Sequence, residues 1–175
     1  TEIAAGAFNY ARDVETIEFV APETDLAEDG SNGLILRENI FYICPALKNI
    51  TLPARTLELP SSIATDESTP VTFSSVFEYA SSLQKVHVAA PTTEGACFYT
   101  SYDGIILDKD GAEVIYCIEN RTGDIKIPAT VSKIRSNAFY GCSGINSVTI
   151  HAFVTEIGAS AFEGCSGMKT LTFEG

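Results

Sequence analysis

The chain has 175 residues, of which 45% are hydrophobic and 19% charged, and its formal net charge at pH 7 is −12. This composition is typical of one globular domain and argues against a disordered chain. An acidic chain repels phosphate backbones, so we expect no nucleic-acid partner. No apolar run reaches the roughly 18 residues of a membrane span, and the first residues lack the pattern of a signal peptide.

The two ends of the chain carry nearly the same sequence, since TEIAAGAFNY opens it and TEIGASAFEG begins at Thr155. Five phenylalanines mark this repeat, namely Phe8, Phe41, Phe77, Phe139 and Phe162. The residues six, nine and eleven positions after each one are apolar. They are Val14, Ile17 and Phe19; Leu47, Ile50 and Leu52; Leu83, Val86 and Val88; Ile145, Val148 and Ile150; Met168, Leu171 and Phe173. A unit as short as 23 residues cannot bury an apolar face alone, so the units must stack into a solenoid.

Each unit is predicted to contain a short capped helical or 3₁₀ turn followed by a strand. The strand carries apolar residues at every second position, as at Val148 and Ile150. Gly141 and Gly164 lie two residues after their phenylalanines, where a left-handed residue would end the turn. The residues two positions before the phenylalanines are all favoured helix N-caps: Gly6, Asn39, Ser75, Asn137 and Ser160. Five positions before them lie Ile3, Leu36, Ile134 and Ile157, with Thr72 as the exception.

The longest interval, between Phe77 and Phe139, holds one more unit and a turn. The segment DIKIP at 124–128 repeats the strand half of a unit that has lost its phenylalanine, so six stacked strands are expected. Lys109-Asp110-Gly111 stands between alternating apolar runs and predicts a tight hairpin turn. The alternative is half a calcium loop at Asp108, Asp110 and Gly111, but no further EF-hand ligand stands in register.

The segments IPATVSKIRSNAFYGCSGINSVTI and VTEIGASAFEGCSGMKTLTF resemble the BspA-type leucine-rich repeats of bacterial surface proteins. The Leu-x-x-Leu-x-Leu core of that family stands here as LQKVHV at 83–88. The resemblance implies an α/β, mostly β fold. This would be a right-handed leucine-rich-repeat solenoid with a parallel sheet on its concave face and short helical or 3₁₀ turns on the other side. YDGIILDKDGAEVIYC, at about 102–117, resembles the inserted β-hairpin of the family. The whole chain, 1–175, is predicted to be one such domain.

The same resemblance implies a location and a function. It implies export to a bacterial surface, with the signal sequence outside this segment of a larger protein, and adhesion to host proteins or other cells. The function expected is therefore a non-enzymatic protein-binding module, monomeric and without a cofactor. The alternative is a structural spacer that displays another domain.

The five cysteines divide into two groups. Cys44, Cys142 and Cys165 each lie three residues after a repeat phenylalanine, and Ala11 and Ala80 take that position in the other units. A position that accepts Cys or Ala is small and buried, which favours the core over a metal site, and no CxxC or Cys/His spacing exists. Cys97 and Cys117 flank the predicted hairpin, so a disulfide between them is an alternative to two free thiols.

The only histidines, His87 and His151, fall on strand positions that point away from the core and have no thiol beside them. A hydrolase is therefore disfavoured, because a nucleophile needs a base within hydrogen-bond reach. The candidate binding residues are outward ones, chosen mainly because they gather scarce basic groups on adjacent coils: Lys85, His87, Lys126, Thr149 and His151. The alternative is that these groups only keep like charges apart.

Overall fold

The computed structural model describes residues 2–20, 33–37, 39–53, 56–58, 76–77, 80–90, 97 and 99–175. Thr72 and Ser75 of the repeat pattern lie outside the described residues. By internal contacts the chain forms two compact units. The first comprises Thr1–Leu83 and Val88–Phe98, and the second comprises Gln84–His87 and Tyr99–Gly175. A single domain spanning the whole chain stays a prediction.

The first unit is built from short parallel strands. They are β1 (Glu2–Ile3), β2 (Thr16–Glu18), β3 (Leu34–Leu36), β4 (Asn49–Leu52) and β5 (Thr56–Glu58). Strand β6 (Lys85–Val88) follows, and its residues Lys85–His87 belong to the second unit. One sheet has the order β1-β3-β5 and another the order β2-β4-β6. Ile17 lies opposite Ile50 in the second of these sheets, and the Ala89 amide just after β6 donates to the Leu52 carbonyl. Equivalent residues of successive repeats are therefore side by side.

The second unit contains one more parallel sheet and one mixed sheet. Its strands are β7 (Tyr99–Tyr102), β8 (Ile105–Asp108), β9 (Glu113–Cys117), β10 (Gly123–Lys126), β11 (Lys133–Ile134), β12 (Ile145–His151), β13 (Glu156–Ile157) and β14 (Thr170–Glu174). The parallel sheet has the order β10-β12-β14. The mixed sheet has the order β13-β11-β9-β8-β7, in which β7, β8 and β9 are antiparallel and β9, β11 and β13 are parallel.

The six predicted repeat strands are all present, as β2, β4, β6, β10, β12 and β14, but they form two three-stranded sheets. A second set of short strands, which the sequence analysis did not predict, precedes each turn. These are β1, β3, β11 and β13, and they contain Ile3, Leu36, Ile134 and Ile157. The sequence signal for these strands was the apolar residue five positions before Phe8, Phe41, Phe139 and Phe162.

The repeat phenylalanines stack on one another. Ring centroids are 5.7 Å apart for Phe8 and Phe41, 5.9 Å for Phe41 and Phe77, and 5.0 Å for Phe139 and Phe162, with planes within 14° of parallel. Phe41 and Phe139 are fully buried. The predicted stack of Phe139 on Phe162 is confirmed, although Phe162 is only partly buried.

Apolar repeat positions at the edge strands are partly exposed, unlike those of the inner strands. Val14 is 38% exposed, Leu171 39% and Phe173 63%. Phe173 lies on β14 and Val14 precedes β2, and each of these strands has a neighbour in its sheet on one side only. The apolar residues of the inner strands β4 and β12 are buried, as at Ile50, Leu52, Val148 and Ile150.

The segments around Phe8, Phe41, Phe139 and Phe162 are hydrogen-bonded turns and not the predicted short helices. Within the described ranges only residues 76 and 77 are helical. The predicted N-caps Gly6, Asn39, Asn137 and Ser160 are wrong, because an N-cap has extended backbone, whereas these residues are left-handed. Their φ angles are 72° at Gly6, 52° at Asn39, 60° at Asn137 and 55° at Ser160. Gly and Asn tolerate this region best, which accounts for the residue types.

A second left-handed residue lies two positions after Phe8, Phe41, Phe139 and Phe162. Gly141 and Gly164, with φ of 74° and 78°, confirm the predicted position. Tyr10 and Ile43 adopt the same conformation, with φ of 62° and 54°. This geometry turns the amide toward the next coil, since the Gly141 amide donates to the Glu163 carbonyl at 2.8 Å and the Tyr10 amide to the Tyr42 carbonyl at 3.0 Å.

Cys117 occupies the position of the missing phenylalanine. Its amide donates to the Ala138 carbonyl at 2.7 Å, just as the Phe139 amide donates to the Ala161 carbonyl at 2.8 Å in the next coil. The interval from Val114 to Cys117 is two residues shorter than that from Ile134 to Phe139, because β9 runs straight on without the usual turn. Cys117 therefore belongs to the repeat, which corrects its placement outside it.

The predicted hairpin is confirmed as β8 and β9, joined by a turn at Lys109-Asp110-Gly111. Asp108 holds this turn together, because its Oδ1 accepts hydrogen bonds from the amides of Ala112 (2.7 Å) and Glu113 (2.9 Å). The sequence DKDGAE therefore forms a turn, because backbone amides donate hydrogen bonds to the carboxylate of Asp108, its first residue. Strand β7 pairs with β8 on the other side and extends the insertion.

Candidate binding surface

The outward face of sheet β10-β12-β14 presents polar side chains in rows. We define this face by Asp124, Lys126, Ser147, Thr149, His151, Thr170, Thr172 and Glu174. One row runs Asp124–Ser147–Thr170, the next runs Lys126–Thr149–Thr172, and the last pairs His151 with Glu174. The side chains between them on β10 and β12, Ile125, Val148 and Ile150, are buried, whereas Leu171 and Phe173 on β14 are exposed.

Part of this face is used within the protein. The Ser147 hydroxyl donates to Oδ1 of Asp124 at 2.7 Å, one coil before it. This charge-assisted bond directs the Asp124 carboxylate toward Ser147. Within the part of the chain that the structure describes, no carboxylate forms an ion pair with Lys126, which is exposed.

His151 is placed on the face as predicted but is held by backbone groups. Its Nδ1 accepts a hydrogen bond from the Phe153 amide at 3.2 Å, and its Nε2 lies 2.6 Å from the Pro128 carbonyl oxygen. Since Nδ1 accepts, the proton is assigned to Nε2, which donates to Pro128. The ring is half-buried and packs on Phe153, with centroids 5.5 Å apart. The role of His151 in binding stays a prediction, and these contacts show only that its ring is engaged within the protein.

Lys85 and His87 are exposed on β6, which belongs to a different sheet from β10. That Lys85 and Lys126 belong to one binding face stays a prediction. The β7–β8 turn approaches Lys85, because a Cβ atom at Gly104 would lie 3.6 Å from Lys85 Cγ.

His87 has a hydroxyl neighbour that the sequence analysis missed. Its Nδ1 lies 3.1 Å from Ser101 Oγ on β7. Such a contact resembles a nucleophile and its base, but that chemistry needs a third group to orient the base. In the described ranges no carboxylate hydrogen-bonds His87. We interpret the contact as one that links β6 to β7.

A charged row that the sequence analysis also missed crosses the other parallel strands of the second unit. Lys133 on β11 lies opposite Glu113 on β9 and Glu156 on β13, at 3.6 and 3.3 Å from their carboxylates. Arg135 adds two hydrogen bonds to Glu113, at 3.3 and 2.8 Å. The hydrogen bond with Glu156 and the charges of both carboxylates raise the pKa of Lys133. The sequence signal for this row was a charged residue six positions before the phenylalanine, at Lys133 in one unit and Glu156 in the next.

The outward residues of the first unit are also in register. Thr16 lies opposite Asn49 and Glu18 opposite Thr51, with Ile17 and Ile50 between them.

In the described ranges, no group of three or more His, Cys, Asp or Glu side chains is arranged to hold a metal ion. The same residues include no helix that is long and apolar enough to cross a membrane.

The repeated coil of turn and parallel strand, with stacked phenylalanines, defines a leucine-rich-repeat protein. Residues 115–175 match the BspA type leucine rich repeat region. The predicted resemblance to BspA-type leucine-rich repeats is confirmed for these residues, which make up about a third of the chain.

Solved structures share this fold. A leucine rich cell surface protein from Faecalibacterium prausnitzii A2-165 is 19% identical, with a TM-score of 0.52 over 97% of this chain and 44% of its own. The pneumococcal vaccine antigen PcpA is also 19% identical, with a TM-score of 0.52 over 91% of this chain and 42% of its own. The chain thus spans less than half the length of these proteins. No curated protein matches it.

Proposed function

We propose that this chain is a non-enzymatic protein-binding module of an adhesive, exported bacterial surface protein. The outward face of sheet β10-β12-β14 is its binding surface. The observation that carries this proposal is the register of that face, in which Lys126, Thr149 and Thr172 form one row, with buried side chains beneath it on β10 and β12. A repeat scaffold of this kind holds side chains at fixed spacings and suits recognition of a folded protein surface.

Two further observations support the proposal. Thr149 and Thr172 offer hydroxyl donors and acceptors, and Lys126 adds an exposed ammonium group in the same row. The similar protein from Faecalibacterium prausnitzii is described as a cell surface protein. The module acts as a monomer, which light scattering would check.

The experiment is a binding assay of the purified chain against immobilised extracellular-matrix proteins. Thr149→Arg with Thr172→Arg should weaken binding at least tenfold, because two bulky cations would block the row. Ser166→Arg is the control, since Ser166 is exposed in a turn outside the face. Equal binding by all variants would place the site elsewhere on the protein.

Charge reversal tests the role of the lysines separately. Lys85→Glu with Lys126→Glu should slow association with an acidic partner and change its salt dependence. Binding that survives this change but falls when Asp108–Gly111 is altered would move the site to the hairpin.

A structural spacer remains the second candidate function. The observation that favours it is the use of Ser147 and His151 in bonds between coils, which stabilise the scaffold itself. A spacer should bind none of the tested proteins, and substitutions across its outward face should leave its attached domain active.

A further inference from the structure

Cys117 and Cys142 form a buried thiol pair on neighbouring coils. Both side chains are fully buried. Cys142 Sγ lies 3.5 Å from the Ile118 carbonyl oxygen, and Cys117 Sγ lies 3.8 Å from the same oxygen. The two thiols therefore share one backbone acceptor. The neighbouring Cys117 thiol and burial together raise the pKa of Cys142.

The other cysteines are directed elsewhere. Cys165 Sγ donates to the Phe139 carbonyl at 3.1 Å, and Cys44 Sγ donates to the Phe8 carbonyl at 3.1 Å in the first unit. Cys97 is a partly exposed free thiol. The sequence analysis considered Cys97 as the partner of Cys117, whereas the contacts of the described residues direct Cys117 toward Cys142.

We propose that Cys117 and Cys142 are an internal cross-linking site, at which a small disulfide oxidant of the glutathione type forms a disulfide during folding. One cysteine thiolate attacks the oxidant, which forms a mixed disulfide and releases one glutathione thiolate. The second cysteine thiolate then attacks the mixed disulfide, forms the Cys117–Cys142 bond and releases the second glutathione. Two protein thiols are oxidised, one glutathione disulfide is reduced, and the two thiol protons end on the released glutathione molecules.

The timing follows from burial. Exchange requires a thiolate that the oxidant can reach, and the folded chain shields both sulfurs. The bond therefore forms before β9 packs against the next coil, and the folded reduced chain oxidises slowly. Once formed, the bond joins the end of the inserted hairpin to the turn after Phe139.

The test is refolding of the full chain from guanidinium in a glutathione redox buffer, followed by thiol blocking and peptide mapping. The map should show Cys117 joined to Cys142 in the unmutated chain and in Cys97→Ser, and no such bond in Cys142→Ala. Alanine is the matched replacement because Ala80 occupies the same repeat position and is 3% exposed. The oxidised chain should melt roughly 5–10 °C above the reduced one.

Two results would overturn the inference. One is a bond between Cys97 and Cys117, and the other is a free Cys142 in a refolded chain whose circular dichroism is native. The map of the unmutated chain decides by itself if a variant fails to fold.

Discussion

The thiol of Cys165 donates a hydrogen bond of 3.1 Å to the carbonyl oxygen of Phe139, one coil before it. Cys44 makes the same bond to Phe8, also at 3.1 Å. The sequence pattern explained this position only as small and buried. The structure adds a donor function, so the protonated thiol is part of the contact between coils.

Stability should therefore fall in alkali. Burial raises the pKa of Cys44 and Cys165 above the ordinary value of 9.0. Above that value the unfolded chain loses these protons while the folded chain keeps them, so the stabilisation is complete below about pH 8 and declines as pH rises. Each thiol can contribute a slope of at most about 1.4 kcal/mol per pH unit. Urea unfolding of the reduced chain between pH 7 and 10 measures this slope.

The double variant Cys44→Ala, Cys165→Ala is the control for that experiment. Its free energy of unfolding should change less between pH 8 and 10 than that of the parent chain. An unchanged slope would mean that other groups cause the loss.

The phenylalanine stack should contribute unequally along the chain. Phe139→Ala should cost about 3–5 kcal/mol, because the ring is fully buried. Phe162→Ala should cost about half as much, because its ring is only partly buried. Denaturant unfolding gives both values. Tyr140→Ala is the control, since Tyr140 is 49% exposed, and it should change stability by no more than about 0.5 kcal/mol. Equal costs at Phe139 and Phe162 would contradict the burial difference.

The left-handed position after each phenylalanine allows substitutions with opposite effects. Gly141→Ala should destabilise by about 1–2 kcal/mol, because φ is 74° and an added Cβ meets only the Glu119 side chain at 3.5 Å. Ile43→Gly should stabilise, or cost less than a usual Ile→Gly change, because it relieves a branched residue at φ of 54°. Thermal melting of both variants checks this. A loss at Ile43 as large as that at Gly141 would count against backbone strain at this position.

The hairpin turn should depend on one carboxylate. Asp108→Ala removes the acceptor of two backbone amides and should cost about 1–3 kcal/mol. Asp110→Ala should cost less than about 0.5 kcal/mol, because Asp110 only pairs with Lys109 on the surface. Hydrogen exchange at Ala112 and Glu113 would locate the effect, and unchanged protection there in Asp108→Ala would contradict it.

Much of the local architecture could be predicted because each unit buries equivalent apolar residues against its neighbours. Apolar residues nine and eleven positions after Phe139 gave β12, and the residue five positions before it marked β11. The left-handed residues after the phenylalanines were visible as Gly141 and Gly164. The N-cap interpretation failed because Gly and Asn favour both a cap and a left-handed turn, and residue type alone does not separate the two.

By itself the sequence determined the repeat, the apolar residues of its core and its resemblance to BspA-type leucine-rich repeats, because stacked units must place equivalent apolar residues in contact. Only the tertiary structure decided which strands share a sheet, and it placed Lys85 and Lys126 in different sheets. It also showed that His151 is held by Pro128 and Phe153, and that Cys117 replaces a phenylalanine next to Cys142. The physical reason is that these relationships join residues far apart in the chain, through hydrogen bonds and register that periodicity does not specify.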